Sequence, residues 1–230
     1  PKVTLINGNF RNMDTLLSNL DIQKVDRVLL DIGLSNRQLA DSKRGFSFMQ
    51  DEPLLMTFNP NPKDEELTAE EIVNSWDEEN IADIIYGYGG ERFSRRIAKN
   101  IVLARSEKRI TTTSELAMII EKSIPRIAKK GKTNPATKTF QALRIAVNDE
   151  LRALKDGISK GIDLLEKDGR LAIISFHSGE DRIVKQMFRD YQSEGVVEIL
   201  TKRPIAPSSS ELEVNPKARS AKLRIIKKIT

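Results

Sequence analysis

Two apolar periods alternate along the chain. Val3 to Ile6 and Arg27 to Ile32 are short apolar runs, and each predicts a strand. Residues 13–20 between them read as a helix. A polar loop runs from Asp41 to Met49 and continues into Asn59-Pro-Asn-Pro, a plain breaker. From about 68 to 130 the pattern is helical throughout. Thr68 with Glu71 and Thr112 with Glu115 have capping-box spacing, and Asp77 can cap a further helix. Phe93, Ile97, Ile101, Val102 and Ala104 mark another helix over 91–105. With no strand among them, these helices predict a separate helical insertion.

Asn134-Pro135 reads as a helix cap followed by proline in the first turn. Phe140, Leu143, Val147, Leu151, Leu154, Ile158, Ile162 and Leu165 then recur at steps of three and four. That spacing predicts one long helix with one apolar stripe, ending at Lys167-Asp-Gly. Arg170 to Phe176 is a buried-type strand and Ser178 to Tyr191 a helix. Val196–Lys202 and Leu223–Ile229 read as strands, and their succession predicts an antiparallel pair at a sheet edge. The order matches the second half of a doubly wound α/β sheet. Its first half is not expected within these residues.

Two strand ends carry candidate chemistry. The strand through Leu30 ends on Asp31 and opens at once into Gly33, Ser35, Asn36 and Gln38. In open α/β sheets, ligands sit beyond the carboxyl ends of the strands. A surface turn with Gly33 at positive φ explains the same residues, and the segment alone leaves the two readings even. The second strand end is Ser175-Phe-His-Ser-Gly-Glu-Asp-Arg182, which holds the sole histidine, His177. Here Ser178 and Asp181 have capping spacing, so a purely structural account exists. If the two strands are neighbours, both loops open on one crevice and the functional reading gains.

Composition narrows the classes. Hydrophobic residues make up 39% and charged residues 31%, an ordinary soluble balance. The absence of cysteine excludes disulfides and thiolate metal sites. A single histidine argues against a zinc site. No apolar run approaches the ~18 residues of a spanning helix. No signal-peptide pattern opens the chain, and Pro1 followed directly by an apolar run suggests a chain cut into. Gly-x-Ser-x-Gly, Gly-Lys-Ser/Thr and His-Glu-x-x-His do not occur. Gly87-Tyr-Gly-Gly-Glu-Arg lies between helices and fits a helix C-cap better than a phosphate loop.

The net charge of +5 is unevenly spread. Residues 51–85 hold eleven acidic residues and one lysine, whereas 91–132 hold twelve basic and four acidic. Residues 201–230 hold eight basic and two acidic. Such blocks suggest contact with a polyanion, although any one of them also fits a solvated helix face. Arg44 and Phe46 offer a guanidinium and a ring for unpaired bases, or a pin holding the loop to the core. Lys217 and Arg219 could contact phosphates or simply decorate a hairpin connection.

Six blocks together resemble one family. They are Asp-Ile-Gly-Leu-Ser-Asn-Arg-Gln-Leu (31–39), Arg-Gly-Phe-Ser-Phe-Met (44–49), Tyr-Gly-Gly-Glu-Arg-Phe (88–93), the run from Asn134 to Leu151, Ser-Phe-His-Ser-Gly-Glu-Asp-Arg (175–182) and Asn-Pro-Lys-Ala-Arg-Ser (215–220). In this order they are similar to the bacterial 16S ribosomal RNA cytosine-N4 methyltransferases, the RsmH or MraW family. The resemblance implies an α/β, class I (Rossmann-like) methyltransferase sheet, its amino-terminal part missing, with an inserted all-helical domain. Residues 1–58 and 134–230 would form the core and 59–133 the insertion.

The same resemblance implies S-adenosyl-L-methionine as cofactor and a cytosine of 16S rRNA in the small ribosomal subunit as substrate. It also implies a cytoplasmic protein with no membrane partner, and leaves a homodimer open. Phe10, Asp31 and Gln38 fall on cofactor-contacting positions. Asp31, Ser35, Asn36 and His177 are the catalytic candidates. Arg44, Phe46, Arg144, Arg182, Lys217 and Arg219 are the RNA-binding candidates. Some positions depart from the family: Asn36 replaces a second serine, Gly179 a leucine, and Leu55 and Thr57 stand where an acid and a base are usual. The family's glycine-rich cofactor loop is not among these residues. That absence supports a rival expectation, a non-catalytic RNA- or ribosome-binding remnant unable to hold cofactor.

Overall fold

A computed structural model describes residues 3–34, 43–63, 65–125 and 134–230. They divide into two compact units, Pro1–Gly33 with Leu151–Thr230, and Leu34–Glu150.

The first unit is a four-stranded mixed sheet in the order β1-β2-β4-β3. Its strands are β1 (Val25–Asp31), β2 (Leu165–Ser175), β3 (Val197–Ile199) and β4 (Lys222–Lys228). β1 runs parallel to β2, with Asp31 opposite Ile174. β4 is antiparallel to both β2 and β3. The pair at the sheet edge is therefore the one that adjacent strands without an intervening helix predict. Helix α7 (Glu150–Leu164) covers one face, its Gly161 beside Val28 and Leu171. Helix α8 (Ser178–Ser193) lies on the same face, because Asp181 at its start bonds Arg224, the register mate of Ile173. Tyr191 Oη and Ser159 Oγ tie the two helices at 3.0 Å. Leu30, Leu154, Ile158, Leu171, Ile173, Phe188 and Ile226 form the core between helices and sheet.

Several expectations are corrected here. Val3 to Ile6 is not a strand: Val3 is 77% and Leu5 92% exposed, and no ladder pairs with them among the described residues. Apolar composition cannot make a strand without a neighbour for its N–H and C=O groups. The helix does not reach Lys167-Asp-Gly but ends at Leu164 and passes straight into β2. Asp26 of β1 then faces a four-residue bulge, residues 166–169, in which Asp168 is left-handed (φ 66°). The connection between β3 and β4, expected as a loop, holds helix α9 (Ser209–Val214) and a 3-10 turn at Pro216–Ser220. Near the start of the chain a 3-10 turn at Phe10–Asn12 leads into α1 (Met13–Ser18), the helix expected there.

The second unit is helical: α2 (Ala69–Ser75), α3 (Glu78–Gly89), α4 (Ser94–Glu107), α5 (Thr113–Ser123) and α6 (Thr137–Asn148). It contains the whole described part of 59–133, and also the 43–58 segment and α6. Leu54, Met56, Ile72, Ile81, Ile85, Ile97, Ile101, Leu116, Ile120 and Leu143 fill its core. The single long helix expected from 134 to 165 is two, broken at Asp149 in the left-handed region (φ 49°). The stripe is continuous only in the sequence: Phe140 and Leu143 pack in the core of the second unit, and Leu154, Ile158 and Ile162 in that of the first. Asn134 does not cap α6; its side chain closes a turn onto the Ala136 N–H, 2.8 Å away. Gly90, left-handed at φ 62°, caps α3 as expected.

Thr112 and Glu115 form the full reciprocal capping box of α5, whereas Thr68 caps α2 through the Glu71 N–H alone and Asp77 makes no side-chain cap bond. The hydrogen bond from Lys108 (2.6 Å), then those from the Thr111 and Thr112 N–H groups, hold the Glu115 carboxyl down to about 2. A depressed folded value means the stabilisation is present above the ordinary value of 4.5 and is lost as pH falls toward 2. Thermal unfolding followed from pH 5 to pH 2 is expected to show this loss. The Glu115→Gln variant should have a flatter profile over that window; an unchanged profile would refute the role.

Candidate functional site

The carboxyl ends of β1 and β2 lie side by side, as the crevice reading requires. Asp31 is the last residue of β1 and its carboxylate is exposed. Its only hydrogen bond among the described residues is a long one, 3.4 Å, accepted from the Gly33 N–H. The Ile32 N–H still reaches the Ile174 carbonyl (3.3 Å), so the ladder holds the strand to its end. Gly33 is not at positive φ, contrary to expectation. Its role is close approach: a Cβ there would stand 2.5 Å from the Phe176 ring. The two strand-end loops are thus in contact, and glycine is what lets them meet.

The β2 corner is built around His177. The cap of α8 is His177 with Glu180, not Ser178 with Asp181. His177 Nδ1 accepts from the Gly179 and Glu180 N–H groups at 3.2 and 3.3 Å. Glu180, 4% exposed, returns through Oε2 to the Phe176 N–H (2.8 Å) and the His177 N–H (3.1 Å). An imidazole nitrogen can fill this position because Nδ1 is an acceptor at the same number of bonds from Cα as the Oδ1 of an aspartate or asparagine cap. With Nδ1 as acceptor, the proton sits on Nε2, which lies 3.2 Å from Glu180 Oε1 at an angle that makes no hydrogen bond. His177 is thereby held by the helix it starts.

Asp181, freed from capping, takes Arg224 Nε at 2.7 Å and Lys222 Nζ at 3.1 Å. Burial pushes its carboxyl up, and the bonds to Arg224 and Lys222 outweigh that and hold it below the usual range.

The other candidates separate by exposure. Phe10 is half-buried in the first unit, its ring edge against Gly157. Ser35, Asn36 and Gln38 lie outside the described residues. Arg44 donates to the Thr57 and Phe58 carbonyls at 2.9 and 2.6 Å, and its guanidinium stands over the Phe46 ring. Phe46 is 7% exposed and stacked on Phe58, so it pins the loop and leaves no open face for a base. Arg144 makes a bidentate pair with Glu150 at 2.8 and 2.9 Å. These three are turned inward. Arg182, Lys217 and Arg219 are exposed.

Sequence reasoning missed a basic pocket in each unit. In the second unit, a cavity of about 390 Å³ is lined by Tyr86, Arg92, Phe93, Ser94, Arg95 and Arg96, with one acidic residue, Asp83. Arg92 lies 4.8 Å over the Phe93 ring and Tyr86 is 66% exposed. Its signal in the sequence was the basic block over 91–132, which opens with Arg-Phe-Ser-Arg-Arg at 92–96. In the first unit, a cavity of about 320 Å³ lies between α8 and the β3–β4 edge. Its residues come from three separate segments, so no local motif announces it. No cluster of metal-ligating side chains occurs among the described residues, and no described helix is long and apolar enough to cross a membrane.

The mixed sheet with helices packed on it, together with a carboxylate and a capped histidine at adjoining parallel strand ends, is that of a Rossmann-like α/β fold with its ligand side at those ends. A family model described as the MraW methylase family matches residues 1–229. The chain is 50% identical over 225 residues to "Ribosomal RNA small subunit methyltransferase H" of Persephonella marina, covering 98% of this chain and 75% of the relative. It is 44% identical over 243 residues to the protein of that name from Brevibacillus brevis, at 99% and 76% coverage. The chain belongs to the MraW methylase family and is a methyltransferase.

Proposed function

We propose that the protein transfers a methyl group from S-adenosyl-L-methionine to the exocyclic N4 amine of a cytosine in 16S ribosomal RNA, in the decoding region of the small subunit. The observation that carries this reading is the exposed Asp31 carboxylate at the end of a parallel strand, against the His177 corner. Relatives named for small-subunit ribosomal RNA methylation support the substrate class.

The cytosine amine is a poor nucleophile because its lone pair is delocalised into the ring. A carboxylate that accepts one of its N–H groups pulls density back toward nitrogen and fixes its direction. Asp31 has the acceptor capacity for this, since one oxygen takes only a 3.4 Å bond and the group faces solvent. The base must leave its stack to reach such a position. Orientation is the main gain, ~7–11 kcal/mol in well-aligned cases. His177 and Glu180 act by holding the β2 corner against Gly33.

An exposed carboxylate also fits a cationic methyl donor, so Asp31 and the partly exposed Phe10 would line the donor's side of the site. S-adenosylmethionine supplies an electrophilic methyl group when bound. Residues 59–133 serve substrate recognition in this reading, with the Arg92–Arg96 pocket as its phosphate-holding part. Exposed Arg182, Lys217 and Arg219 add phosphate contacts from the first unit.

The test is to supply the full-length protein with labelled donor and unmethylated small subunits, then digest the RNA to nucleosides. N4-methylcytidine is the expected product. Label on C5 or on the ribose would overturn the amine reading, and RNA binding without any transfer would favour a non-catalytic binding protein.

A further inference from the structure

We infer that the pocket between α8 and the β3–β4 edge is a binding site for the phosphodiester backbone of RNA, separate from the strand-end site. Its wall is basic: Lys185 and Arg189 from α8, Lys202 just past β3, and Arg224 from β4, over a floor that includes Phe188. Lys185, Arg189 and Lys202 are exposed, and none has an ion pair or hydrogen-bond partner among the described residues. Arg224, 7% exposed, is fixed in place by Asp181 at 2.7 Å, a bond to a residue of neighbouring α8. Gln192 uses its side-chain oxygen to accept from the Ile199 N–H at 3.0 Å, which leaves its amide N–H groups as donors at the rim.

The arrangement works against the helix that carries it. Arg182, Lys185 and Arg189 follow one another at steps of three and four along α8, so like charges stand one above another. Such pairs at i,i+3 and i,i+4 are mildly destabilising to a helix. A row of cations without acidic partners, facing a concave wall that adds Lys202, is relieved by a polyanion laid along it. The position suits a strand that also visits the active site. Lys185 lies eight residues into the helix that His177 caps, roughly 12 Å along its axis at ~1.5 Å per residue. Arg189 lies one turn further. A phosphodiester chain leaving the strand-end crevice can follow this row.

The inference deepens the ribosomal RNA reading and takes its choice of polyanion from it. The experiment therefore measures RNA binding without methyl donor, so that it stands or falls apart from methyl transfer. The full-length Lys185→Gln/Arg189→Gln/Lys202→Gln variant is compared with wild type and with Lys155→Gln/Lys167→Gln/Arg170→Gln. That control loses the same charge from exposed basic residues of the first unit outside the pocket. Affinity for fluorescently labelled 16S RNA is measured across a salt series.

The pocket variant should bind ~10–100-fold more weakly, with a log–log salt slope shallower by about 2–3, at roughly 0.7–0.9 per lost phosphate contact. With small subunits as substrate it should raise KM and leave kcat near wild type. Its melting temperature should hold or rise, because the substitutions remove repulsion. Equal affinity and slope in the pocket and control variants would overturn the proposal. So would saturation by inorganic phosphate or adenosine monophosphate without any RNA defect in the pocket variant, which would assign the cavity to a small phosphate ligand.

Discussion

Asp31→Ala is expected to lower kcat for methyl transfer by roughly 10²–10⁴-fold, the range for losing a positioned proton acceptor at a reacting nitrogen. RNA affinity and melting temperature should stay near wild type. The carboxylate is exposed and makes one 3.4 Å hydrogen bond among the described residues, so truncating it costs the fold little, within about 0.5 kcal/mol. The variant should therefore be a folded protein that binds RNA and does not turn over. Asp31→Asn sharpens the test: it keeps the shape and one acceptor oxygen but loses the negative charge. Its defect should be smaller than that of Asp31→Ala, and full activity in Asp31→Ala would remove this carboxylate from the mechanism.

The second large effect is on stability and falls on Glu180→Ala. This buried carboxylate accepts the Phe176 and His177 N–H groups at 2.8 and 3.1 Å. Truncation leaves both part-buried donors without their carboxylate partner, at ~1.5 kcal/mol for each charge-assisted bond. A loss of about 3 kcal/mol is expected, seen as a drop of roughly 6–12 °C in melting temperature for a chain of this size. Methyl transfer should fall as well, even below the melting transition, because the corner that meets Gly33 loosens. Glu180→Gln keeps one acceptor oxygen and should recover part of both losses. A variant with wild-type stability and activity would show that this corner does not position the site.

Local rules in the sequence were enough for much of this molecule. The Thr112–Glu115 box, the Gly90 cap, the strand ending on Asp31 and the antiparallel edge pair each depend on a few adjacent residues or on unbroken periodicity. The neighbouring placement of the two strand-end loops stood only as a condition in the sequence, and the parallel pairing of β1 with β2 met it. The failures share a different cause. Val3 to Ile6 has a strand's composition and no ladder. Residues 134–165 have one helix's periodicity and two helices, since nothing in the spacing of apolar residues reveals the left-handed Asp149, after which the stripe serves a different core. Phe46 and Arg144 have the residue types of an RNA surface. Phe58 and Glu150, 12 and six residues away, turn them inward.

What the sequence alone determined is the fold class, the family and the carboxylate at the end of β1, because motif order and strand period are properties of the linear chain. Tertiary structure alone decided which polar groups remain available. It occupied His177 Nδ1 with a helix cap, shifted Asp181 from a cap to a cation pair, and changed Gly33 from a turn residue into a close contact. It also gathered Lys185, Arg189, Lys202 and Arg224 from three segments into one wall. Each of those outcomes depends on which group lies within about 3 Å in space, and that is set by packing across the sheet.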